Sequence, residues 1–146
     1  MRPRVKRPKN YEALLNLLTE EKKGPFESFK DALVFCAALG LYKNKRVQFE
    51  KTSEPINLDI FNKGDEAFIF MLGIHSNDMN LLLEENLENR LNIFEEYANG
   101  GLGIVSEKAQ DRTREISEHI EEFILDMFEV KNEKGSNITS IASEFK

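Results

Sequence analysis

The sequence predicts a mainly α protein: a compact helical domain of about five helices with a small β-hairpin packed on it. Three observations lead there. Apolar residues recur at the i, i+3/i+4, i+7 spacing of buried helix faces along much of the chain. One short region, residues 46–60, instead alternates polar and apolar side chains as a half-buried hairpin would. At 146 residues the chain is long enough to bury one core without disulfides or metals.

Residues 1–9 contain Arg2, Pro3, Arg4, Lys6, Arg7, Pro8 and Lys9, a mixture of proline and charge that predicts a basic flexible arm. Residues 10–130 are expected to form the single helical domain. Asn10 reads as an N-cap, followed by a short amphipathic helix with Tyr11, Leu14, Leu15 and Leu18 on one face. Lys22, Lys23, Gly24 and Pro25 break it, and Ser28 with Asp31 three residues on resembles a capping box opening a second helix near Phe29. The run Ala32 to Leu39 is apolar on every side, as in the central helix of a bundle, and Gly40 reads as its stop.

Arg46–Glu50 and Ile56–Ile60 supply the two expected strands, joined through Thr52 to Pro55. Asn62 and Asp65 open a further helix with Phe68, Ile69, Met71 and Leu72 as core candidates. A helix from Met79 onward brings Leu83, Leu87, Leu91, Phe94 and Ala98 to one face and ends at Asn99, Gly100 and Gly101, residues that tolerate positive φ. Ser106 then caps a long last helix whose inner stripe is Ile116, Ile120, Phe123, Ile124 and Met127. Residues 131–146 form a polar C-terminal tail.

Charge is distributed unevenly: residues 1–51 carry +6 and residues 52–146 carry −12, giving the net −6. A DNA contact would therefore be confined to the basic N-terminal part, with Arg2, Arg4, Lys6, Arg7, Lys9, Lys43, Lys45 and Arg46 as its candidates. Cys36 stands alone inside an apolar run, so it reads as a small buried hydrophobe in a reducing compartment. No apolar stretch approaches the roughly 18 residues of a membrane span, and a cytoplasmic protein is expected.

Catalytic chemistry finds little support. His75 ends an apolar helix, where an imidazolium favours the terminal carbonyls. Glu115, His119 and Glu122 share a helix face, but no second His-bearing helix converges on them, so no metal site and no cofactor is expected. The glycines at 100, 101 and 103 follow a helix, whereas nucleotide fingerprints follow a strand and open a helix. The polar group beside those glycines, Glu95, Glu96, Tyr97 and Asn99, with Gly100 and Gly101, is the candidate partner-binding surface, set against the plainer reading of a solvated helix end.

Arg7-Pro8-Lys9, Pro25-Phe26, Phe29-Lys30-Asp31-Ala32-Leu33, Ala37-Ala38-Leu39-Gly40, Glu54-Pro55-Ile56 and Phe94-Glu95-Glu96-Tyr97-Ala98-Asn99-Gly100-Gly101-Leu102 together resemble the DNA phosphorothioation-associated protein 4 family over roughly residues 4–105. That resemblance implies a bacterial accessory protein, adaptor or regulator, of a Dnd DNA-modification and restriction defence system. It implies no catalytic residue, so the chain is expected not to be an enzyme. Other Dnd-system proteins are the expected partners, and a small DNA-binding module using the N-terminal arm is the alternative.

Overall fold

Residues 3–75 and 86–129 are described in the computed structural model, and helices dominate them. In chain order the elements are β1 (Arg4–Pro8), α1 (Glu12–Leu18), α2 (Phe29–Tyr42), β2 (Thr52–Asn57), α3 (Lys63–His75), α4 (Leu87–Ala109) and α5 (residues 116–129), with single 3-10 turns before α1 and after β2. The protein is mainly α with a two-stranded antiparallel sheet, as the sequence predicts.

Local chemistry sets several boundaries. Ser28 accepts from the Asp31 amide at 3.2 Å and its hydroxyl donates to the Asp31 carboxylate at 3.1 Å, closing the expected box at the start of α2. At the other end, Asn44 takes φ 54°, the Asn44 amide donates to the Leu41 carbonyl, and the Lys45 amide donates to the Gly40 carbonyl. This is a Schellman stop, so α2 is ended by Asn44 and not by Gly40. Asn62 and Asp65 exchange side-chain-to-amide bonds of 3.0 and 2.8 Å and cap α3. Asn10, by contrast, lies in the 3-10 turn before α1, and no side chain caps that helix.

The core is built on α2 against α4, the most extensive packing in the fold. α2 contributes Ala32, Leu33, Cys36, Ala37 and Leu39, and α4 contributes Leu91, Phe94, Ala98, Leu102 and Val105. Phe61 and Phe68 meet Phe94 edge to face at 6.0 and 6.4 Å, which docks α3 and its lead-in on the same helix. Lys30 adds a bridge from α2 to Asp65 of α3 at 2.8 Å. Leu14, Leu15 and Leu18 of α1 and Ile116, Ile120 and Phe123 of α5 are also buried.

Further expectations are corrected. First, Arg4–Pro8 is not a flexible arm but a strand: Val5 pairs with Ile56, Arg7 with Ser53 and Pro8 with Thr52, and Val5, Arg7 and Pro8 are buried. Alternation puts Val5 and Arg7 inward and Arg4 and Lys6 outward, a period that the surrounding charge and proline obscure. The sheet therefore joins two distant segments, and residues 46–50 form no strand. Second, α4 does not stop at its glycines; it runs through Gly100, Gly101 and Gly103, none at positive φ. Third, Ser106 is inside α4, and a turn at residues 110–115 precedes α5. In that turn the Asp111 carboxylate accepts from the Thr113 amide and hydroxyl. Fourth, Ile124 lies outward, 47% exposed, while the rest of the expected stripe on α5 packs inward. The expected start of a helix at Met79, Leu83 on its face, Arg2 and the tail at 131–146 lie outside the described residues.

Candidate functional site

The residues expected to form a partner surface form an internal seam instead. A Cβ on Gly101 would overlap the carbonyl of Cys36, one on Gly100 the carbonyl of Lys45, and one on Gly40 the carbonyl of Tyr97. The glycines thus let the backbones of α2, α4 and residues 45–48 approach one another, which any side chain would prevent. Residues 45–48 lie against α4 as a strap: the Val47 amide donates to the Glu96 carbonyl at 3.0 Å, and Asn99 donates its side-chain amide to the Val47 carbonyl at 3.0 Å. Asn99 satisfies a strap carbonyl that no strand reaches.

Glu95 ties the sheet to the same helix. Its carboxylate accepts from the Lys6 amide at 2.6 Å. The residue is 5% exposed, and burial pushes its carboxyl up to about 7 against the opposing pull of that amide. With Lys6, Gln48, Glu50 and Asn92 it lines a small polar cavity of about 230 Å³. Glu96 is the member of the group at the surface, and it is bound to Arg46 at 2.6 Å. Tyr97 is buried. Of the six expected contact residues, five are therefore inside the fold.

Several members of the expected basic set are likewise engaged within the fold. Arg7 is buried, donates to the Glu54 carbonyl at 2.8 Å and stacks its guanidinium 4.4 Å from the Phe29 ring centre. Lys43 pairs with Asp126 at 3.2 Å, and Arg46 is held by Glu96. Lys6 adjoins the cavity that contains Glu50 and Glu95. Arg4, Lys9 and Lys45 are exposed. Cys36 is fully buried, and burial pushes its thiol well above the ordinary range, the opposite of what a nucleophile needs. His75 is exposed at the end of α3.

Two features carry outward chemistry that the sequence reading did not isolate. α3 buries Ile69 and Leu72 yet also exposes Phe70, Met71 and Ile74, so it is apolar on two sides. α5 exposes Ile124, Leu125 and Phe128, beside the buried Ile120 and Phe123. The second feature is a cleft of about 820 Å³ between α1, the end of α4 and the turn before α5, with His119 in its wall. His119 was legible as a titratable residue, but its partners come from the turn and not from a second helix. Glu122 is bound to Arg114 at 2.8 Å. Among the described residues no three His, Cys, Asp or Glu side chains gather as metal ligands.

A family model for the DNA sulphur modification system-associated protein 4 matches residues 4–141. The chain belongs to this family. Membership in the DNA sulphur modification system-associated protein 4 family extends the resemblance through α5, where no motif is evident in the sequence. Comparisons with curated proteins and with solved structures find no match. Among the described residues no helix is long and apolar enough to cross a membrane.

Proposed function

We propose that the chain is a non-enzymatic accessory protein, an adaptor or regulator, of a DNA sulphur modification (Dnd) system, and that it acts by binding another protein of that system. The observation that carries this reading is the second apolar side of α3, Phe70, Met71 and Ile74, matched in kind by Ile124, Leu125 and Phe128 on α5. A helix in a monomer needs one buried face, and an additional exposed apolar stripe fits a surface completed by a partner. Family membership supports a component of the same system as the class of partner. The internal seam takes no direct part in this contact; it holds the helices that present the stripes.

The reading is tested by affinity purification from a host carrying the whole locus at low salt. Recovery of a protein encoded in that locus, at a constant ratio to this chain, is expected. Recovery of the chain with no product of the locus would contradict it. DNA binding through the N-terminal basic residues has less support, because Arg7 is buried and Lys43 and Arg46 are paired.

A further inference from the structure

We propose that the outer face of α5 docks a basic amphipathic helix of a protein partner, an inference that rests on the reading of this helix as a partner surface. Glu118, Glu121, Glu122, Leu125, Phe128 and Glu129 are spaced i, i+3, i+4, i+7, i+10 and i+11, which puts them on a single helix face, and all six are exposed. Leu125 and Phe128 stand one turn apart at 58% and 54% exposure, and Ile124 flanks them. The core takes Ile116, Ile120 and Phe123 from α5 and makes no use of this face. What remains outside is a short apolar patch with carboxylates before and after it.

Charge defines the occupant. α5 carries five carboxylates, Glu118, Glu121, Glu122, Asp126 and Glu129, and no lysine or arginine. The fold supplies cations to three of them: Arg114 binds Glu118 and Glu122 at 3.3 and 2.8 Å, and Lys43 binds Asp126 at 3.2 Å. Glu121 and Glu129 form no ion pair among the described residues, and these two stand beside Leu125 and Phe128. Apolar residues at i and i+3 with charges alongside make the pattern of a helix–helix seam, in which the flanking charges select the partner. The complement is a helix that is apolar on one face and carries Lys or Arg next to that face, set against Glu121 and Glu129. Nucleic acid and anionic lipid are repelled by such a surface. In a two-fold contact between copies of the chain, the same carboxylates would meet one another.

The test titrates the full chain with synthetic helical peptides while its backbone amide signals are followed by NMR. A peptide with leucine on one face and lysine elsewhere should shift the α5 signals saturably, and its affinity should fall as salt is raised. Counterparts with glutamate for lysine, or with serine for leucine, should bind about tenfold or more weakly. The Glu121→Lys, Glu129→Lys double variant should also bind the leucine–lysine peptide about tenfold or more weakly, at an unchanged melting temperature because both positions are exposed. The proposal is overturned if that peptide leaves α5 unmoved, if either counterpart binds as tightly, or if the double variant binds like the wild type. Signals of residues 131–146 that shift with Leu125→Asp, Phe128→Asp would make the chain's own tail the occupant, and a dimer lost in that variant would make it a second copy; either result overturns it. A locus-encoded protein whose capture survives both Glu121→Lys, Glu129→Lys and high salt overturns this inference and leaves the accessory reading in place. Peptide binding on α5 with no such capture upholds the surface and overturns that reading.

Discussion

Glu95 bears a carboxyl that the fold both buries and employs, accepting the Lys6 amide while 5% exposed. Its ordinary value of 4.5 rises to about 7 on folding, so the unfolded chain ionises first as pH rises. The stabilising contribution is therefore complete below about 4.5 and is lost as pH passes through about 7. The loss amounts to ~3–4 kcal/mol at most, taking each pKa step as ~1.4 kcal/mol. Glu95→Gln keeps an acceptor for the Lys6 amide and removes the titration. Urea melts between pH 4.5 and 8.5 should show a falling stability for the wild type and a flatter profile for the variant, which should be the more stable of the two above about pH 7. A parallel fall in both would assign the pH dependence to other groups. The polarity of Glu95 and Asn99 is plain in the sequence; the direction in which each side chain points is not, because their partners Lys6 and Val47 are remote along the chain.

At the scale of elements, the decisive feature is the passage of α4 through its glycines. Helix propensity alone would make Gly101→Ala stabilising by ~1 kcal/mol. The Cys36 carbonyl occupies the space that the new methyl needs, so the substitution should instead destabilise by ~3 kcal/mol, the upper range for forced overpacking. Gly103→Ala provides the contrast, since its methyl would meet only the Tyr11 hydroxyl, at 3.2 Å, on a side chain able to move. It should stay within about 1 kcal/mol of the wild type. Thermal melts of the two variants distinguish this packing role from a helix stop, for which the two positions would not differ in this way. Capping of α2 by Ser28 and Asp31, and of α3 by Asn62 and Asp65, is readable in the sequence because each device is complete within four residues. The glycines offer no such local clue: the same residues serve a left-handed stop or a close crossing, and the choice depends on Cys36, Gly40 and Lys45, which belong to other parts of the chain.

For the whole molecule, the helical class and most core positions follow from periodicity, whereas the sheet does not, because β1 and β2 are brought together only by the packing of everything between them. The basic segment at the start is thereby part of the structure. Deleting residues 1–9 removes fully buried Val5 and the pairing with β2, and should cost ~3 kcal/mol or more in a urea melt; an unchanged midpoint would restore the picture of a detached arm. The candidate partner surface also shifts on this scale, from the block around Glu95 to Asn99, which the fold consumes, to the outward stripes of α3 and α5. Sequence periodicity marks Met71 and Ile124 as apolar helix residues but cannot say that they remain uncovered. The most direct measurement is the yield of the locus-encoded partner captured by Phe70→Asp, Ile74→Asp and by Leu125→Asp, Phe128→Asp double variants, each with its melting temperature. The account predicts that at least one pair reduces capture about tenfold or more while melting within a few degrees of the wild type. Undiminished capture by both folded variants would contradict it.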